Sequence, residues 1–275
     1  MDLALIEIDK LHLHEETIPE SLKSLMKAIE SKGIVEDPII VDKKTLVVLD
    51  GMHRVKALKQ LGCKLMPVCL VDYENPRITI ERWCRTVQDN NRTQELLKTI
   101  TSKGYTIRVE PKEKAKKLLE ERKPVVFLET RLNSYIITSH GNTDLISVYR
   151  SIGDIEHSLK SKGFRIGYET EMDAEERMKR GSADIVMMPP KLGKKEVIES
   201  ATKGEAFIHK ATRHIIPARP MGVNVSLTEL REGNLHTSDR KEKFVKTLRE
   251  RKVRRIPPGN LWKGRRYEEA LYVFE

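Results

Sequence analysis

The chain has 275 residues, a length that suits one large domain or two small ones. Hydrophobic residues make up 39% and charged residues 33%, which supports a buried core and excludes a disordered polyampholyte. The formal charge is +10, but residues 231–266 hold 13 Lys and Arg against 4 Asp and Glu; the remainder is balanced at 38 against 37, so the body of the chain carries no basic footprint for nucleic acid.

Residues 3–8 are an apolar run of strand length, and residues 11–14 continue it to a polar corner. Acids stand at this end where a signal peptide would carry a basic start and an apolar stretch, so a cytoplasmic location is expected. Thr17, Ile18, Pro19 and Glu20 read as a capping box with Pro near a helix start. Leu22, Leu25, Met26 and Ile29 give that helix an apolar face, and Gly33 stops it. Residues 38–41 and 45–49 are β-rich runs joined by the polar stretch 42–44, which predicts a hairpin. Asp50 and Gly51 end the second run, Val55, Ala57, Leu58 and Leu61 pattern a helix that ends at Gly62, and residues 66–71 read as another strand. Asn75 and Pro76 break the chain before residues 77–87.

A second α/β run follows, with helices expected at 93–103, 112–122, 144–162 and 173–180 and strands at 105–109, 124–129, 133–138 and 183–188. Residues 204–225 are rich in polar residues and Pro and predict irregular backbone, and residues 238–250 read as a helix. No run approaches the roughly 18 apolar residues of a membrane helix, so no membrane partner is expected. Cys63, Cys69 and Cys84 form no CxxC pair, which fits a reducing compartment. Only three Gln occur, a bias found in heat-adapted proteins.

Three clusters could carry chemistry. At Asp50, Gly51, Met52, His53 and Arg54 a strand ends and a helix begins, which exposes backbone N–H groups to an anion. His53 and Arg54 add donors there, and Asp50 could hold a cation; the plainer reading is an ordinary turn with a solvated arginine. His14, Glu15 and Glu16 fall at a strand-to-helix corner, where acids also suit the helix dipole. Lys210, Thr212, Arg213 and His214, running on to Arg219, offer an ammonium, a hydroxyl, guanidiniums and an imidazole in a Pro-rich stretch that could equally be a surface loop. Trp83 reads more naturally as core than as a ligand contact.

Taken together, residues 1–75 resemble the ParB-like fold shared by chromosome-partitioning proteins and sulfiredoxin. The likeness runs through Leu13 to Glu16, Ser31 to Ile34, Pro38 to Val41 and Val48 to Leu58. Two features are similar to the free serine kinases of archaea and some bacteria: the acidic His14-Glu15-Glu16, and the long string from Lys210 to Val225. That resemblance implies an α/β (α+β) protein. A ParB/sulfiredoxin-like domain at 1–90 would pack on a second α/β domain at 91–230 that carries the Thr-Arg-His loop. An active-site cleft would lie between them, and the basic segment 231–275 would follow.

The resemblance also implies the chemistry. ATP or ADP would phosphorylate the hydroxyl of free L-serine with Mg2+, and the O-phospho-L-serine would feed cysteine metabolism. Glu15 or Glu16 would be the general base, and Asp50 would assist through the metal or the hydroxyl. Gly51, Met52, His53 and Arg54 would bind phosphate with Lys210, Thr212, Arg213 and His214, while Trp83 and Arg85 would contact the amino acid. Met52 departs from the family, which usually carries His there, so one imidazole stands in place of two. The competing reading is a ParB-like DNA-binding or nucleotide-switch regulator, but no helix-turn-helix pattern follows residue 90. The oligomeric state is open, and a monomer is compatible with the sequence.

Overall fold

The structure, a computed structural model, describes residues 2–88, 92–139, 144–231 and 237–275. The chain forms two compact units. The first comprises Met1–Thr79, Lys194–His209 and His214–Glu275; the second comprises Ile80–Gly193 and Lys210–Arg213. The cut expected at residue 90 falls near 80, and the chain returns to the first unit twice.

The first unit is built on a five-stranded mixed sheet of β1 (Asp2–Glu7), β2 (His12–Leu13), β4 (Ile39–Asp42), β5 (Val47–Asp50) and β6 (Leu65–Val71). Their order is β1-β6-β4-β5-β2. β4 pairs parallel with β6 and antiparallel with β5, and β2 joins β5 in parallel. The short β3 (Ile34–Val35) instead pairs with Val225–Ser226. β4 and β5 read as unbroken apolar runs because both faces are covered, and every residue from Ile39 to Val41 is fully buried. Asp42 closes the hairpin between them: its carboxylate accepts from the Thr45 backbone N–H at 3.0 Å, the Thr45 hydroxyl at 2.7 Å and the Tyr73 N–H at 3.2 Å.

Helix α1 (Pro19–Lys32) ends on Gly33 in the left-handed region, and α2 (Met52–Gln60) begins after Gly51. The capping box expected at Thr17 does not form. Ile18 is the N-cap and has no side-chain cap; its own N–H donates to His53 Nε2, 3.0 Å away on α2. The cap is therefore tertiary, which local spacing does not reveal.

In the second unit, six strands run antiparallel in the order Ile166–Glu169, Cys84–Val87, Ile185–Met188, Val126–Thr130, Ser134–Thr138 and Thr106–Val109. Helices α3 (Thr93–Ser102), α4 (Lys112–Glu120), α5 (Leu145–Ser161) and α6 (Glu171–Lys179) accompany them. The sequence reading missed Ile166–Glu169 because glycine interrupts the run, and it also missed α7 (Lys194–Lys203) of the first unit.

The basic segment is no separate tail. After α8 (Leu227–Leu230), helix α9 (Thr237–Arg249) buries Phe244 and Leu248 in the first unit's core and pairs Lys241 with Glu7 at 2.7 Å. Strand Ala270–Phe274 lies between Ala218–Met221 and Val253–Ile256. Residues 232–236 of the segment lie outside the described residues. Among the described residues no helix is long and apolar enough to cross a membrane.

Gly51 has no room for a side chain. Its φ is +109°, and a Cβ would collide with Ile39 Cγ2 and stand 3.0 Å from Arg54 Nη2. Gly62, at φ +76°, has nothing within 4 Å of that position. Gly51→Ala should cost about 2–4 kcal/mol by urea unfolding, from left-handed strain plus overpacking, and Gly62→Ala only about 1–2 kcal/mol. Equal losses would remove the steric argument.

Candidate active site

Asp50 is the last residue of β5, and the turn at Gly51 sets its carboxylate at the start of α2. Two guanidiniums converge on its Oδ2: Arg54 Nη2 and Arg219 Nη1, each at 2.8 Å. Arg54 lies one helical turn on, and its other terminal nitrogen donates to the carbonyls of Asp37 at 2.8 Å and Pro38 at 2.6 Å. Arg219 is buried on strand Ala218–Met221, and its Nε donates to Glu269 at 2.8 Å. Burial opposes the Arg219 charge, but Asp50 and Glu269 outweigh it and hold the guanidinium above its usual range. Beside these groups opens a pocket of about 290 Å³, walled by Leu25, Ile29, Val35, Met221 and Tyr267 and rimmed by Lys32, Asp37, Asp50, Arg54 and Arg219.

The corner before α1 is built from paired backbone. Phe207 N–H donates to the His14 carbonyl and Glu16 N–H to the Phe207 carbonyl, both at 2.8 Å, so Glu15 sits in a parallel bridge with Phe207. This extended pairing buries Glu15 and leaves Glu16 exposed. His14 is fully buried, and its Nδ1–H donates to the Val48 carbonyl at 2.8 Å. Its Nε2 lies 3.7 Å from Glu15, and its ring meets His214 edge-on at 5.5 Å. The His214 Nε2 and the Tyr73 hydroxyl share a hydrogen bond of 2.7 Å.

Burial lowers the pKa of both imidazoles. It outweighs Glu15, the Val48 carbonyl and Asp50 at His14, and at His214 the neighbouring His14 adds to it. Both rings are therefore neutral, and burial likewise holds the Tyr73 phenol above its usual range. His53 accepts from Ile18 at Nε2, so its neutral ring carries the proton on Nδ1. Met52 packs against the core of this unit and offers no polar atom.

Lys210, Thr212 and Arg213 belong to the second unit, where three successive carbonyls are held by the buried Arg85 and Tyr149 and the half-buried Trp83. Arg85 Nη1 donates to Lys210 O at 3.1 Å, the Tyr149 hydroxyl to Ala211 O at 3.1 Å, and Trp83 Nε1 to Thr212 O at 2.9 Å. The Lys210 ammonium lies over the Trp83 ring at 4.2 Å. Arg85 has no solvent-exposed surface and is tied to Glu156 at 2.7 Å. Trp83 and Arg85, expected to touch the amino acid, also anchor the Thr212 and Lys210 carbonyls.

Among the described residues no group of three or more His, Cys, Asp and Glu is placed to hold a metal ion. Burial pushes the Cys69 thiol up to about 11 and Cys84 up to about 12, and Cys63 also rises, which leaves no activated thiol for sulfiredoxin-type chemistry. Tyr73, Tyr267 and Glu269 escaped the sequence reading because no local pattern ties them to Asp50 or His14.

The buried imidazoles set a pH dependence. The unfolded chain binds protons at His14 and His214 near pH 6.5, whereas the fold keeps them neutral, so stability is full above that value and falls as pH drops below it. Each histidine should contribute a slope of at most about 1.4 kcal/mol per pH unit below 6.5. Urea unfolding at pH 7.5, 6.0 and 5.0 should show this loss, and the double variant H14N/H214Q, which keeps a polar atom at each bonded position, should flatten it. Parallel pH curves for the two proteins would refute the assignment.

Comparison with known proteins agrees with this geometry. Residues 2–84 match the ParB N-terminal domain family. An ATP-dependent L-serine kinase of Staphylothermus marinus is 32% identical over 242 residues, covering 82% of this chain and 90% of that protein. An ADP-dependent L-serine kinase of Thermococcus kodakarensis is 26% identical over 234 residues, covering 84% and 93%. Among solved structures, a free serine kinase in complex with AMP superposes with a TM-score of 0.72 at 25% identity, over 83% of this chain and 93% of that one. By its fold and its similarity over most of both lengths, this chain belongs to the family of L-serine kinases with a ParB-like N-terminal domain.

Proposed function

We propose that the chain transfers a phosphoryl group from an adenine nucleotide to the hydroxyl of free L-serine, giving O-phospho-L-serine. The observation that carries this reading is a pair of carboxylates at the ends of two adjoining strands. β2 pairs with β5, Glu15 just beyond β2 lies 3.7 Å from His14 Nε2, and the His14 Nδ1–H bonds the Val48 carbonyl on β5, the strand that ends at Asp50. Phosphoryl transfer asks for alignment and charge neutralisation more than for covalent chemistry, and such a pair beside a helix N-terminus answers to that demand.

Glu15 takes the serine hydroxyl proton. It is the buried member of its pair and stands next to a neutral imidazole, whereas Glu16 faces solvent. The first N–H groups of α2 face the donor phosphates, and Gly51 lets the backbone come close. Arg54 and Arg219 act through Asp50, which they hold in one orientation. The adenine nucleotide base suits the neighbouring pocket, whose wall is apolar and carries the Tyr267 ring. Thr212, Arg213 and Lys210 carry donors that suit phosphate oxygens, and their part rests on that chemistry and on the resemblance.

A magnesium ion fits this donor set. Mg2+ is usually bound by one or two carboxylates completed by phosphate oxygens and water, so the lack of a three-residue cluster does not oppose it, and Asp50 would be its protein ligand. It would supply charge neutralisation on the donor phosphates. The relatives are named for ATP in one case and ADP in the other, so the donor is decided by experiment.

Purified protein incubated with L-serine and either nucleotide should yield O-phosphoserine, with ADP formed from ATP or AMP from ADP. Glu15→Gln should lower turnover by about 10²–10⁴-fold while nucleotide binding persists, and Glu16→Gln should leave turnover little changed. No product with either donor would overturn the reaction. Collapse in Glu16→Gln alone would move the base to Glu16.

A further inference from the structure

The segment beyond residue 231 reaches Arg219 through Glu269, while its Tyr267 lines the pocket. Glu269 is 8% exposed and lies immediately before strand Ala270–Phe274. That strand pairs parallel with Ala218–Met221, with Ala218 opposite Ala270 and Arg219 opposite Leu271. The register fixes Glu269 beside the Arg219 side chain, and the carboxylate takes Nε at 2.8 Å. Arg219 reaches onward with Nη1 to Asp50, also at 2.8 Å, and its guanidinium lies 6.0 Å from the Tyr267 ring.

A guanidinium has a fixed planar fork, so holding Nε on one side fixes where the terminal nitrogens point. With Glu269 in place, Arg219 presents a single nitrogen to Asp50, and Arg54 shares the same oxygen. Without it, the buried cation would keep only one carboxylate and would turn its fork fully onto Asp50. Outer partners that orient the ligands of a metal commonly change activity by about 10–100-fold when removed, and a carboxylate that aims a buried guanidinium works by the same means.

We infer that Glu269 is a positioning residue for phosphoryl transfer, which acts by aiming Arg219 and so fixing Asp50. The inference rests on the kinase reading for its activity arm and on geometry alone for its stability arm. It assigns a task in the site to a segment whose charge had marked it only as a basic appendage.

The test is a double-variant cycle. Glu269→Gln keeps the side chain's shape and removes its charge; it should lower kcat by about 10–100-fold per folded enzyme with the KM for serine little moved. Glu269→Asp should restore part of that loss. In the Asp50→Asn background, Glu269→Gln should have little further effect on residual turnover, because the two act in series. Urea unfolding of the same four proteins should show non-additive losses. An unchanged kcat in Glu269→Gln, or additive effects in both readouts, would overturn the inference. Wild-type protein that makes no phosphoserine while the unfolding cycle stays coupled would defeat the kinase reading and leave the Glu269 to Asp50 linkage standing.

Discussion

The Asp50 carboxylate oxygen that accepts from Arg54 and Arg219 together is the interaction on which the first unit depends. Arg219 is buried, and a buried guanidinium without its partners costs several kcal/mol, so Arg219 can be placed only where carboxylates meet it. That requirement ties the end of β5 to strand Ala218–Met221 and, through Glu269, to strand Ala270–Phe274. Arg54 adds the third tie, since its hold on the Asp37 and Pro38 carbonyls fixes the entry to β4. The pocket beside Asp50 is the space these ties leave open. Its charged rim is set by the fold, which is the condition for electrostatic stabilisation at low reorganisation cost.

The buried imidazoles solve a different problem. A strand that ends in an acidic corner would fray unless its polar groups found partners, and His14 gives its Nδ1–H to Val48 on the adjoining β5. His214 then packs edge-on against His14 and ends in a hydrogen bond with the Tyr73 hydroxyl. Because both rings stay neutral, they pack beside Glu15 without adding a further cation to Arg54 and Arg219. For the base proposed at Glu15, a neutral neighbouring ring means that the carboxylate would accept a proton with no permanent ion pair to break.

What the sequence made legible was local. Gly33, Gly51 and Gly62 all adopt the left-handed region and mark helix ends because only glycine enters that region without strain. The Asp50-Gly51 turn and the helix after it were readable for the same reason. Arg85 was not, because a fully buried arginine on a strand carries no signature until Glu156, 71 residues away, is seen beside it. The capping box read at Thr17 to Glu20 is replaced by a bond from the Ile18 N–H to His53, 35 residues on. The net charge of residues 231–266 was a true sum that concealed a helix seated in the core and stopped three residues short of Glu269. Counting charges by segment cannot show which of them are paired across the fold.

That pairing bears on how a phosphate is received. Arg54, Arg219, Asp50 and Glu269 form a set whose formal charges cancel, so the two arginines do not make the corner strongly cationic. Their guanidinium nitrogens are drawn towards carboxylates and carbonyls before any ligand arrives. An entering polyphosphate therefore meets backbone N–H groups and a helix dipole worth about half a unit charge, which is too little to neutralise it alone. Under the proposed reaction the remaining positive charge would come from the Lys210 and Arg213 donors and from a magnesium ion bound with the nucleotide. Arg54 and Arg219 then contribute rigidity at Asp50, because their charge is already matched by carboxylates within the fold.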